Sequence, residues 1–92
     1  MPTHIKQEKD ERGGLIFRVQ GDLLYDDALL LEKIVTRARE GLNGEISIDL
    51  ADLDLMDSDA APVLRRMQEN VGLTFTGTEI FLQTVINSVE GR

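Results

Sequence analysis

The sequence contains no cysteine and no tryptophan. A disulfide framework and a Cys-ligated metal site are therefore excluded, and a chain without cysteine suits a reducing compartment, with the cytoplasm as its expected location. Basic residues are few beside acidic ones, 10 against 17, for a formal net charge of −7. That balance argues against a non-specific phosphate-backbone binder, which neutralises phosphates with clustered Lys and Arg, so nucleic acid is not an expected partner. Long apolar runs are missing too. None approaches the ~20 residues of a membrane-spanning helix, and Met1-Pro2-Thr3-His4 opens no basic leader followed by an apolar stretch, so a soluble, unsecreted protein without direct membrane insertion is expected. The single histidine, His4, has no Ser or Cys partner implied by pattern and is read as a surface residue. No Gly-rich phosphate loop precedes a helix, and no nucleophile, base and oxyanion set can be assembled. The chain is accordingly expected to be neither an enzyme nor a cofactor binder. Internal repeats and low-complexity tracts are absent as well.

What is present is the pattern of one small α/β domain over residues 1–92, with a modest core. Its most informative stretch runs from Glu45 to Leu64. Ile46, Ile48 and Leu50 alternate with Ser47 and Asp49, the signature of a strand with one covered face. From Ala60 the period changes to a helical one through Val63, Leu64 and Met67. Between them, Ala51 to Asp57 reads as an acidic loop, and Asp57-Ser58-Asp59 supplies short polar side chains of the kind that start a helix.

The remaining elements follow in order. His4 to Lys9 suits a polar edge strand. Gly13-Gly14 makes a tight turn into Leu15–Gln20, whose Leu15, Phe17 and Val19 share one side, and Gly21-Asp22-Leu23 ends that strand. Asp26 or Asp27 caps a first helix running to about Glu40, with Leu30, Leu31, Ile34, Val35 and Ala38 as its apolar stripe and Gly41 as its C-cap. Asn43-Gly44 turns into the central strand, and Asn70 to Gly72 turns into a last strand, Leu73-Thr74-Phe75-Thr76, broken by Gly77. Thr78 then caps a final helix with Ile80, Phe81, Val85, Ile86 and Val89 facing inward. This order predicts a mixed four-stranded sheet, with parallel, right-handed later crossovers and helices mainly on one face. The other face, carrying Arg18, Gln20, Ser47, Asp49, Thr74 and Thr76, is left for association, a homodimer included.

Among individual residues, Ser58 has two readings: a helix cap, which spacing alone favours, or a phosphorylation site beside the unpaired amides of a helix start. Tyr25 is either a core anchor or a partner-contacting aromatic. The carboxylates of Asp49, Asp52, Asp54 and Asp57 lack the Gly and terminal Glu of an EF-hand loop and are read as a solvated acidic loop, with no metal.

The stretch Ile48-Asp49-Leu50-Ala51-Asp52-Leu53-Asp54-Leu55-Met56-Asp57-Ser58-Asp59-Ala60 resembles, in register, the I-D-L-S-x-V-x-x-I-D-S-[ST]-G segment of STAS domains, the family of anti-sigma factor antagonists and sulphate-transporter tails. Gly21-Asp22-Leu23 is similar to the family's G-E-L-D turn, with Leu24 at its Asp position. Asp59 stands where the family usually has Ser or Thr, and Ala60 where it has Gly. The resemblance implies a non-enzymatic STAS-like interaction module. Its partner surface would be formed by Asp22, Leu24, Tyr25 and Asp26 together with Asp57, Ser58, Asp59, Ala60 and Val63, with Ser58 as the residue phosphorylated. The implied partner is an anti-sigma factor of the serine-kinase type; the alternative is the cytoplasmic ATPase of a lipid or anion transport system, bound constitutively.

Overall fold

The computed structural model describes residues 3–41 and 44–77. The Asn43-Gly44 turn, through Asn43, and the final helix expected from Thr78 onward lie outside the described residues.

The edge strand β1 (His4–Lys9) and β2 (Leu15–Leu23) form the antiparallel hairpin that the alternation predicts, paired from His4↔Gln20 to Lys9↔Leu15. Its turn is wider than Gly13-Gly14 alone. It spans Asp10 to Gly14, because the Asp10 carboxylate accepts the amides of Arg12 and Gly14, both at 2.8 Å. A short polar side chain here replaces the two-residue turn geometry. Strand β2 also extends beyond Gln20. Leu15, Phe17, Val19 and Leu23 all point into the core, and the strand passes through Gly21, whose φ of +84° falls where its pairing register shifts. Only glycine adopts that conformation without strain, so Gly21 bends the strand rather than ending it.

Helix α1 (Tyr25–Glu40) begins with the Leu24 amide donating to the Asp27 carboxylate at 3.1 Å, so Asp26 and Asp27 lie in the first turn instead of preceding the helix. It ends at Gly41 as predicted. Ala28, Leu31 and Val35 are its buried residues, whereas Leu30, expected on the inner stripe, is 52% exposed. Strand β3 (Ile46–Asp49) lies parallel to the first half of β2, from Leu15↔Ile46 to Arg18↔Asp49.

The principal departure comes next. Within the expected acidic loop lies a strand, β4 (Leu53–Met56), parallel to the end of β2 through Gly21↔Leu53, Asp22↔Leu55 and Leu23↔Met56. Asp52, Asp54 and Asp57 have poor strand propensity, but pairing with the extended β2 and burial of Leu53 and Met56 override it. Among the described residues the sheet therefore has five strands rather than four, ordered β1-β2-β3-β5 with β4 beside β2. Helix α2 (Ala60–Met67) buries Ala60, Ala61, Val63, Leu64 and Met67, the helical stripe read from the sequence. Its first residue is Ala60, not Ser58, and Pro62 sits in the first turn, where its missing amide costs no intrahelical bond. A π-helical turn (Gln68–Gly72) leads to β5 (Thr74–Thr76), parallel to β3. Arg39, near the end of α1, fastens this turn: its guanidinium donates to the carbonyls of Val71 (3.0 Å), Gly72 (3.0 Å) and Gly44 (2.7 Å).

Both helices contribute to one core with Phe17, Val19, Ile46, Ile48 and Leu50. The opposite sheet face carries a cross-strand ion ladder, in which Arg18 donates to Glu8 on β1 at 2.7 Å and to Asp49 on β3 at 3.2 Å. Arg18 and Asp49 thus face away from the core, as expected. Among the described residues, no helix is long and apolar enough to cross a membrane.

Two substitutions test this packing by chemical denaturation. Ile48 is fully buried, so Ile48→Ala is expected to cost about 2–5 kcal/mol; a change below about 0.5 kcal/mol removes it from the core. Gly77 has φ +63°, and a Cβ there would lie 2.4 Å from the Ala51 amide nitrogen. Gly77→Ala is therefore expected to destabilise by more than about 1 kcal/mol, and a neutral result would exclude this close approach.

Candidate interaction site

The site forms where two chain reversals meet. At the end of β2, Leu23 leads through Leu24 into α1; at the end of β4, Met56 leads through Asp57-Ser58-Asp59 into α2. Parallel β2–β4 pairing sets the reversals side by side, and the Asp57 amide donating to the Leu23 carbonyl at 2.9 Å joins them. The Asp57 carbonyl then accepts the Ala60 amide at 2.9 Å, which makes residues 57–60 a turn with Ser58 and Asp59 at its corners. The Asp57 carboxylate stabilises this turn by accepting the Asp59 amide at 3.1 Å.

Ser58 is exposed at the apex of this turn, and α2 carries no side-chain cap. The capping reading of Ser58 is therefore set aside. The turn also limits what the helix start offers an anion, because the Asp59 and Ala60 amides are already bonded and Pro62 has none.

Between the first turns of α1 and α2 runs an open groove of about 420 Å³, lined by Tyr25, Asp59, Pro62, Val63 and Arg66. Tyr25 is 45% exposed, so it forms a wall of this groove and does not anchor the core. Arg66 closes one end through a two-point ion pair with Glu32 of α1, at 2.8 and 2.6 Å. These hydrogen bonds hold the Glu32 carboxyl below its ordinary value, against the opposing effect of burial, and raise the Arg66 value in turn.

The expected site residues thus separate into groups. Tyr25, Asp59 and Val63 meet in the groove, with Val63 as its nearly buried floor. Leu24, at 48% exposure, and Asp26 are exposed beside them, while Asp57 and Ser58 form the adjoining turn. Asp22 lies opposite Leu55 on the open side of the sheet. Ala60 has no exposed surface, so the methyl that replaces the family's glycine is turned into the core and occupies no partner-facing space. Pro62, Arg66 and Glu32 join the site without having been expected there, while the 51% exposed Leu55 stands opposite Asp22 on the sheet. For Arg66 a signal existed, since it follows Pro62 and Val63 at helical spacing. Leu55 was hidden by the loop assignment. Asp49, grouped with the acidic loop by sequence, belongs elsewhere: it pairs with Arg18 and accepts the Ala51 amide at 2.9 Å.

Because Ser58 does not cap α2, Ser58→Ala is expected to change stability by less than about 0.5 kcal/mol, and a larger loss would restore the capping role. The Glu32–Arg66 pair gives a pH signature. Glu32 is depressed in the folded state, so its contribution is present above the ordinary carboxyl value of 4.5 and is lost as pH falls through the lowered folded value. Denaturant midpoints for wild type and Glu32→Gln should therefore differ at neutral pH and converge well below 4.5, whereas a constant gap would exclude the pair as the cause.

No family profile matches the sequence, and no curated protein is detectably similar to it. Solved structures are similar to it. One is the anti-sigma factor antagonist SpoIIAA in its unphosphorylated form, with TM-score 0.66 and 19% identity over 91% of this chain and 82% of that one. Another is an anti-sigma factor antagonist from Mycobacterium paratuberculosis, with TM-score 0.73 and 16% identity over 98% and 81%. A third, the antisigma-factor antagonist STAS domain from Rhodobacter sphaeroides, gives TM-score 0.59 and 21% identity over 83% and 87%. At these identities the likeness is one of backbone architecture: this chain has the fold of these anti-sigma factor antagonist and STAS-domain structures.

Proposed function

We propose that the chain is a non-enzymatic interaction module of the anti-sigma antagonist kind. It docks a serine-kinase-type anti-sigma factor at the junction of the β2–α1 and β4–α2 reversals. The observation that carries this reading is the exposure of Ser58 at a turn held rigidly against Leu23, with partly exposed Leu24 and Tyr25 beside it. Exposed apolar side chains beside an ordered polar loop are what a docking surface requires, and Ser58 is the hydroxyl such a kinase reaches without unfolding the helix. A neighbour in fold, SpoIIAA, has been solved in a phosphorylated form.

In the proposed reaction the Ser58 hydroxyl attacks the γ-phosphorus of a nucleoside triphosphate held by the partner. The diphosphate departs, and the hydroxyl proton passes to a base of the partner. The product carries about −1.5 to −2 charges between Asp57 and Asp59, with the nearest helix amides already bonded. Such a group faces both these carboxylates and the nucleotide phosphates in the kinase, so the phosphorylated module dissociates and the anti-sigma factor is free again.

One feature favours a second reading. Asp59, exposed beside Ser58, is a fixed negative charge at the surface, and it suits a module that binds a transporter's cytoplasmic ATPase constitutively. The two readings part on Ser58→Glu. For the kinase partner this variant should keep its fold but bind roughly tenfold more weakly, about 1.4 kcal/mol, and wild type with that partner and ATP should gain one phosphate on Ser58 by mass spectrometry. Full affinity of Ser58→Glu together with no phosphate incorporation would overturn the kinase reading in favour of the constitutive one.

A further inference from the structure

The groove between α1 and α2 has a definite chemistry. Its floor and rim are Val63 and Pro62, one wall is the exposed Tyr25 ring, and the Asp59 carboxylate stands at its edge without a cationic partner among the described residues. The cation that lines it, Arg66, already engages both oxygens of Glu32 through two of its nitrogens, so its charge is met from α1. Asp26, exposed in the first turn of α1, and Asp57, in the adjoining turn, add further negative charge nearby.

We propose that this groove seats an arginine side chain of the partner's docking segment, with the guanidinium stacked on Tyr25 and paired with Asp59, and its methylene stem lying on Pro62 and Val63. Arginine fits better than lysine because its planar head both stacks on an aromatic ring and offers paired donors to one carboxylate, while its stem covers apolar surface. An apolar residue next to that arginine rests on exposed Leu24. The inference rests on the reading of this region as a protein-docking surface, and adds the charge and shape of what docks. Ser58 lies on the adjoining turn, so the arginine holds the partner beside the serine and not on it.

The test uses the whole chain, ¹⁵N-labelled, titrated with acetylated and amidated Gly-Leu-Arg-Leu-Gly peptide and with its lysine and glutamate counterparts at the central position. Amide shifts confined to Tyr25, Asp59, Val63 and their neighbours are expected for the arginine peptide, with binding at least twofold weaker for lysine and no saturable shift for glutamate. Asp59→Asn and Tyr25→Ala, both at exposed positions, should each weaken arginine-peptide binding at least threefold. Scattered shifts, equal binding of the arginine and glutamate peptides, or no effect of Asp59→Asn would overturn the proposal, and equal binding of lysine would overturn the choice of arginine. If a serine-kinase partner phosphorylates Ser58 while the arginine peptide leaves the groove unperturbed, this inference fails and the docking reading stands. Localised peptide binding in a chain that binds no such kinase upholds the groove and removes that choice of partner.

Discussion

The hydrogen bond from the Asp57 amide to the Leu23 carbonyl, at 2.9 Å, closes the parallel β2–β4 pairing on which the rest of the site depends. Two constraints make it possible. Gly21 takes a positive φ that lets β2 change register and continue to Leu23, and Leu53 with Met56 gives β4 two buried side chains to hold it against that extension. Without this pairing the β2–α1 and β4–α2 reversals would be independent surface loops. With it, they form one surface in which a turn, a groove and partly exposed apolar side chains have fixed relative positions.

Charge is paired differently in the different regions of the molecule. On the open sheet face, Arg18 bridges Glu8 and Asp49 across three strands, so each carboxylate there has a cationic partner. Between the helices, Arg66 and Glu32 satisfy each other. At the reversal, by contrast, the Asp57 carboxylate accepts the Asp59 backbone amide and Asp59 keeps its own charge exposed to solvent. A hydrogen bond to an amide organises a carboxylate without cancelling its charge, so this end of the molecule keeps its negative charge.

Much of the architecture was legible in the residues. The alternation at Leu15, Phe17 and Val19, and at Ile46, Ile48 and Leu50, marks the inward faces of β2 and β3, and the stripe Ala60, Val63, Leu64 and Met67 marks that of α2. Such patterns can be read because burial repeats with the period of the element itself. Leu30 escaped the same logic: its place on the helix falls at the boundary of the apolar arc, where a residue can pack inward or face solvent with almost the same sequence pattern. The β4 strand escaped for a stronger reason, since alternating Asp and Leu over Asp52 to Leu55 has little local preference for a strand.

The sequence by itself determined the inward faces of β2 and β3, the apolar stripe of α2, the lack of disulfides and the acidic character of the segment before α2. Tertiary structure alone decided that this segment contains a strand, that Ser58 stands at a turn apex and not at a helix cap, and that Tyr25, Asp59 and Arg66 share one groove. The physical reason is range. Periodicity records how a segment meets a core and is written within a few residues, whereas β4 exists through its pairing with β2 and the groove through the meeting of α1 with α2, contacts whose partners lie far apart along the chain.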